Sequence, residues 1–427
     1  MNLTRKRWRT LIACCFINLC LGSIYVWSVF AASMAEFLSA RNGVALTTAD
    51  LAIVYTIANS VGPITMITGG YFNDKFGPKK VILTGGIMVG VGMIASGFAT
   101  SVGALIVTYG LIFGLGLGMT YGTAVSTCMK FFPDKRGLIG GITTAIYGLG
   151  SVILPPIVTE IVAATDAAAA FKIVGIAFLV IICGCSFFME QCPAGFVPEG
   201  WTPPTAAAGN QVENKNWKEM LKTPVFYVML LLFTCGAFSG MMVISQASAV
   251  ATNMVGMTAI VASTAVSVLA VFNAAGRILA GLLSDWIGRI NTLSLASVLG
   301  VVGLLLLYMT GQGGYVTFYL GIAGIGLSFG SFMGVYPGFT ADQFGAKNNS
   351  VNYGIMFIGL AGAGYFGPSA MRKIYMTEGT YHGAFLVACA FGLAGFVLTF
   401  VYRFFAKKES IEQIKKMPKN KMIVLFS

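Results

Sequence analysis

The chain has 427 residues, of which 56% are hydrophobic and only 10% charged, less than half the roughly 25% charged share of a soluble domain. Its formal charge of +12 would suit a nucleic-acid binder, but the basic residues sit in short loops between long apolar runs, which argues against that reading and against a soluble enzyme. An integral membrane protein is what remains.

Twelve apolar runs are each long enough to cross ~30 Å of hydrocarbon as a helix rising ~1.5 Å per residue. In chain order they cover residues 8–35, 48–72, 80–99, 102–130, 137–162, 168–189, 224–250, 258–283, 291–310, 315–341, 350–371 and 379–405. The first follows Arg5, Lys6, Arg7 and Arg9 but stays apolar too long for a cleavable leader and shows no convincing cleavage site, so it is expected to be the first span. Of the 27 Lys and Arg, 22 fall in the N-terminal tail, alternate loops, the central linker and the C-terminal tail, while Arg41, Lys172, Arg372 and Lys373 fall on the other side. The positive-inside rule then puts both termini in the cytoplasm. Nine cysteines lie in or beside spans without metal-ligand spacing, and with a single histidine no zinc or haem site is expected.

The longest polar interval, residues 191–223, divides the spans six and six. The expected organisation is an N-terminal half over 1–190, a cytoplasmic linker over 191–223, a C-terminal half over 224–405 and a basic tail over 406–427, the tail facing solvent or lipid headgroups. The halves echo each other. Gly70, Asp74, Lys75, Gly77 and Pro78 after span two are answered by Gly281, Asp285, Gly288 and Arg289 after span eight, the two aspartates being 211 residues apart. A second loop pair, at Asp134 and Asp342, repeats at nearly the same interval of 208.

This doubled pattern, Gly-x-x-x-Asp-x-x-Gly followed by a basic residue, resembles the signature of the major facilitator superfamily over essentially the whole chain. The resemblance implies an all-α membrane fold of twelve transmembrane helices in two six-helix halves, a substrate site near the bilayer midplane and alternating access, commonly in a monomer. Gly70, Gly77 and Gly281 would serve close helix approach and turns. Asp74, Lys75, Asp285 and Arg289 would form a conformational latch, each aspartate capping a helix N-terminus or pairing with a basic residue.

Finer stretches are similar to the oxalate/formate antiporter family, which borders on the monocarboxylate transporters. They are Gly22-Ser23-Ile24-Tyr25-Val26-Trp27-Ser28 in span one, Tyr121-Gly122 after the glycine row of span four, the loop 132–137, Tyr147-Gly148-Leu149-Gly150, the run 219–226, Asn273-Ala274-Ala275-Gly276-Arg277 and Asn352-Tyr353-Gly354.

The residues themselves agree with that likeness. Arg277 is the one basic residue of span eight, and a charge at that depth costs at least ~2.5 kcal/mol to insert, which makes it a functional candidate awaiting an anion. Asn273 stands one turn away on the same helix face, where it could steady the guanidinium or meet a substrate hydroxyl. By the resemblance Tyr25, Tyr121 and Trp27 line the cavity, with Tyr147 and Tyr336 as weaker candidates. Oxalate-selective members carry a lysine where this chain has Leu360; a single buried cation balances one carboxylate, which favours a monocarboxylate of the lactate, pyruvate, formate or acetate class. Glu36, Asp50, Glu160, Asp166 and Glu378 all lie at or outside span ends, so no obvious proton carrier stands in the cavity. His382, the only histidine, is read either as a proton-linked group or as an interface residue.

The expected function is therefore secondary transport of small carboxylates in a bacterial inner membrane, with a co-transported proton or a counter-anion and no cofactor. Two alternatives stay open: an oxalate:formate type exchanger, and a non-transporting facilitator-like sensor.

Overall fold

A computed structural model describes residues 3–193, 195–202 and 214–415. The Ala-rich part of the linker and most of the basic tail lie outside these. Among the described residues, twelve helical segments are long and apolar enough to cross a membrane. They form because hydrocarbon offers no partner to a backbone N–H or C=O, so each span must satisfy its own.

Span one is two helices, Leu3–Leu21 and Trp27–Asn42, joined by a 3₁₀ stretch Gly22–Val26. Spans two and three are Ala52–Phe76 and Pro78–Ser96. Span four runs from Val102 to Phe131 and is π-wound over Ile106–Phe113. Spans five to twelve are Arg136–Ala164, Ala167–Ser186, Pro224–Asn253, Ala259–Ile287, Arg289–Met309, Tyr315–Phe344, Asn349–Glu378 and His382–Lys415.

The turns after spans two and eight show why the repeated Asp-x-x-Gly pattern takes its form. Gly77 (φ 84°, ψ 163°) and Gly288 (φ 89°, ψ 155°) end one helix and start the next in a backbone region closed to residues with a Cβ. Pro78 then opens span three at a first-turn position, where its missing N–H costs nothing.

Two compact units result. The first comprises Met1–Phe131, Thr143–Pro193 and Tyr353–Ile355; the second comprises Phe132–Ile142, Ala194–Asn352 and Met356–Ser427. Their internal packing repeats. In the first unit span two packs on four, three on four and three on six, and in the second span eight packs on ten, nine on ten and nine on twelve. Each pair recurs six spans later.

The repeat extends to individual residues. Span four presents Gly114, Gly118 and Gly122 to span two, and span ten presents Gly326, Gly330 and Gly334 to span eight, both rows at four-residue spacing. A Cβ on Gly118 would lie 2.7 Å from the Cα of Gly62, and one on Gly334 would lie 2.8 Å from the Cα of Arg277. These small residues let the helix backbones touch, which in lipid supplies the packing that the hydrophobic effect cannot.

Candidate substrate site

Arg277 is the largest fully buried side chain of the protein among the described residues, with 1% of its surface exposed. Its Nε donates to Asn273 Oδ1 at 3.0 Å, so the residue one turn earlier steadies the guanidinium. The backbone beneath it is gripped on two sides: Gly334 and Gly330 of span ten meet residues 273–277, and Gly141 meets the Arg277 carbonyl. A side chain rooted in so tight a crossing has little freedom to swing away. Along the helix, eight residues or ~12 Å separate it from Asp285, which is too far for a structural ion pair.

Within the first unit the candidate side chains are aromatic. Tyr25, at the 3₁₀ break of span one, is 37% exposed. Its ring stands edge-on to Tyr147 at 5.6 Å, and Tyr147 in turn lies 4.9 Å from Tyr121. Three phenols from spans one, five and four thus form one chain. The break is held by close contact, since a Cβ on Gly22 would meet Gly150 at 2.8 Å, and one turn before it Asn18 Nδ2 donates to the Thr143 carbonyl at 3.0 Å. Trp27 is 6% exposed and lies 4.6 Å from the Tyr109 ring, so it packs into the aromatic interior with Phe113 and Phe171.

The two signature aspartates do different work. Asp285 accepts from the first amides of span five, Gly137 and Leu138, at 2.9 Å each, and takes Arg289 Nη1 at 2.7 Å. It is a carboxylate cap on the positive end of a helix dipole. Arg289 continues to Asp342 at 2.8 Å, and Asp342 binds Arg136 at 2.7 Å, which closes a chain of charges. In the first unit Asp74 pairs with Lys130 at 2.7 Å, whereas Lys75 extends over the neighbouring Phe76 ring. Gly70 is buried in span two, and Gly281 meets Gly137 and Gly141 at the start of span five. Lys130, Arg136 and Asp342 were not singled out as latch residues from sequence; their signal, charges at the ends of spans four, five and ten, is shared with any cytoplasmic loop.

Tyr336, a weaker candidate from the sequence, lies in span ten. It is fully buried, its hydroxyl donates to the Met229 carbonyl at 2.8 Å, and its ring stacks on Phe233 at 4.1 Å. Two residues beyond Gly334, it points about 200° round the helix from the face that meets span eight. Leu360 is buried at 7% in span eleven. His382 starts span twelve, half-buried and edge-on to Tyr308 at 5.3 Å. Of the five carboxylates at span ends, Asp166 caps the helix of span six through the Ala169 amide, and Asp50 binds the Thr47 amide and hydroxyl at 2.8 Å. Those two donors, the amide first, hold the Asp50 carboxyl below its ordinary value.

The sequence profile of the Major Facilitator Superfamily matches residues 11–368. The chain belongs to this superfamily. It is 30% identical over 362 residues to the uncharacterized MFS-type transporter YhjX of Escherichia coli K12, covering 84% of this chain and 86% of that one. It is also 30% identical over 407 residues to the oxalate:formate antiporter of Oxalobacter formigenes, covering 93% of both. Monocarboxylate transporter 12 of Xenopus laevis is 24% identical over 96% of this chain and 90% of its own. Among solved structures, a double-tryptophan mutant of XylE superimposes with a TM-score of 0.74 over 93% of this chain and 95% of its own at 15% identity. FucP does so with a TM-score of 0.65 over 91% and 98% at 14% identity. These two share the fold. The protein is a multi-pass membrane transporter and not an enzyme.

Proposed function

We propose that this facilitator carries small monocarboxylates, of the lactate, pyruvate, formate or acetate class, by alternating access with Arg277 as the anion's partner. The observation that carries the reading is a guanidinium 1% exposed in the middle of a span, oriented by Asn273. Burial in a low-dielectric setting strengthens its hold on a carboxylate, and the planar fork suits parallel recognition of both oxygens. The curated relatives include carriers named for oxalate, formate and monocarboxylates. Leu360, buried and apolar where a second cation would balance a dianion, favours one carboxylate over two. In the first unit, Tyr25 and Tyr121 are the phenols that the family likeness assigns to substrate. Coupling is to protons, with His382, the single histidine of the chain, as the proton-linked side chain. Both termini lie on the cytoplasmic side, in keeping with the distribution of Lys and Arg.

Uptake of labelled lactate, pyruvate, formate, acetate and oxalate into proteoliposomes, with and without an inward proton gradient, tests this. Gradient-driven uptake of a monocarboxylate is expected, and Leu360→Lys is expected to shift preference toward oxalate. Oxalate flux seen only against trapped formate or oxalate would make the protein an exchanger instead. No carboxylate flux of any kind would end the reading.

A further inference from the structure

Where the linker approaches span seven, residues 214–219 lie across the ends of spans ten, eleven and twelve. The backbone of Lys215 is engaged at both of its polar groups: the N–H donates to the Phe344 carbonyl at 2.9 Å, and the carbonyl accepts from Asn348 Nδ2 at 3.2 Å and Asn352 Nδ2 at 3.0 Å. Its ammonium pairs with Glu409 of span twelve, the two side chains being 11% and 21% exposed. Asn214 Oδ1 takes the Lys347 amide at 3.1 Å, and a Cβ on Gly345, in the turn after span ten, would stand 2.8 Å from the Asn214 Cα. A capping box between Asn216 and Glu219 then starts the short helix Trp217–Leu221. Lys215 thus joins three spans through three different groups.

These bonds are made against competing demands. Asn348 is the N-cap residue of span eleven, a position where an asparagine side chain ordinarily accepts from the amide two or three residues on. Here its carboxamide is turned to Lys215, and it makes no side-chain cap. Asn352 Oδ1, Glu409 Oε2 and both polar atoms of Asn349 are buried and, among the described residues, have no hydrogen-bond partner. A buried polar group left unmet favours any arrangement that hydrates it. The linker and the first turn of span eleven therefore compete for one side chain.

We propose that residues 214–219 form a releasable strap with two states. Engaged, as in this structure, Lys215 clips the ends of spans ten, eleven and twelve together. Released, Asn348 turns back to cap span eleven at the Ser350 or Val351 amide, and the buried groups of Asn349, Asn352 and Glu409 meet water. At Asn348 the two states exchange one hydrogen bond for another, so the balance is close and this residue decides it. A permanent brace would satisfy its own polar groups and leave the cap in place. The strap holds whichever solute the protein carries.

Residue-resolved hydrogen–deuterium exchange on the purified full chain tests the strap without any transport assay. Asn348→Asp removes the donor to Lys215 and supplies a stronger cap, a carboxylate at the positive end of a helix. Exchange should become faster by roughly fivefold at the amides of 215–221 and slower by roughly fivefold at those of Ser350 and Val351, about one hydrogen bond's worth in each direction. Lys215→Met, which removes the ion pair and leaves Asn348 in place, should shift both segments the same two ways. Asn348→Ala can serve neither bond and should speed exchange in the strap without slowing it in span eleven. Unfolding temperatures show that each variant is folded. Faster exchange at both segments in Asn348→Asp, as simple loosening would give, or no change at either, would overturn the proposal.

Discussion

Spans two and eight occupy equivalent places in the two units, each crossed closely by a glycine row, yet they carry opposite chemistry at the crossing. Gly118 and Gly122 meet Gly62 and Met66 in the first unit; Gly330 and Gly334 meet Asn273 and Arg277 in the second. Gly62 and Asn273, like Met66 and Arg277, are 211 residues apart, the interval that relates Asp74 to Asp285, and the facing glycines are 212 apart. The packing is duplicated, whereas the charge is confined to one copy. A repeated scaffold thus supports an asymmetric site: the close crossing is needed in both units for stability, and only the second uses it to hold a cation rigidly in an apolar span. The aspartates diverge in the same way, with Asp285 built into a helix cap and a charge chain and Asp74 joined to Lys130.

The largest difference between the units should appear on removing the basic partners. Arg289→Met breaks bonds to Asp285, Ser284 and Asp342 and is expected to cost about 2 to 3 kcal/mol, near the lower end for a buried pair that loses one member. Lys130→Met removes a single pair whose side chains are 22% and 14% exposed, at about 1 kcal/mol. Thermal unfolding in detergent ranks the two. Equal shifts would mean that the charge chain of the second unit adds nothing.

Next come the crossings. A Cβ at Gly334 would press on the backbone of Arg277, which cannot yield without moving the helix, whereas a Cβ at Gly122 meets the flexible Met66 side chain at 2.6 Å. Gly334→Ala is therefore expected to cost about 2 kcal/mol and raise the KM for the carboxylate, and Gly122→Ala under about 1 kcal/mol with KM unchanged. Uptake kinetics beside unfolding temperatures test this, and a KM effect from Gly122→Ala alone would reverse the roles assigned to the units.

The smallest effects separate the tyrosines. Tyr336→Phe leaves the Met229 carbonyl without its donor and should lower stability by about 1 kcal/mol with no change in KM. Tyr25→Phe should do the opposite, raising KM by roughly fivefold, one hydrogen bond's worth, at constant stability.

Much of this was legible in the sequence because membrane spans are long and their loops carry repeated punctuation. The twelve spans follow from contiguous apolar runs, and the Asp-x-x-Gly turns and the Asn273–Arg277 pairing from spacings of about one turn. What escaped was long-range. Asp342 and Arg289 are 53 residues apart and Asp342 and Arg136 are 206 apart, and no local pattern joins them. The hydrogen bond of Tyr336 to the Met229 carbonyl, 107 residues away, was equally out of reach of local pattern. The row Gly326, Gly330 and Gly334 was visible as small residues every fourth position and could have been paired with span eight through its match to Gly114, Gly118 and Gly122.

The central claim is that Arg277 binds the anion. Equilibrium binding of labelled pyruvate to purified wild type and Arg277→Gln, both checked for folding by thermal unfolding, tests it most directly. Loss of one partner of a buried charge pair predicts affinity weaker by roughly 100-fold or more in the variant. An unchanged Kd in a folded Arg277→Gln protein would contradict the account.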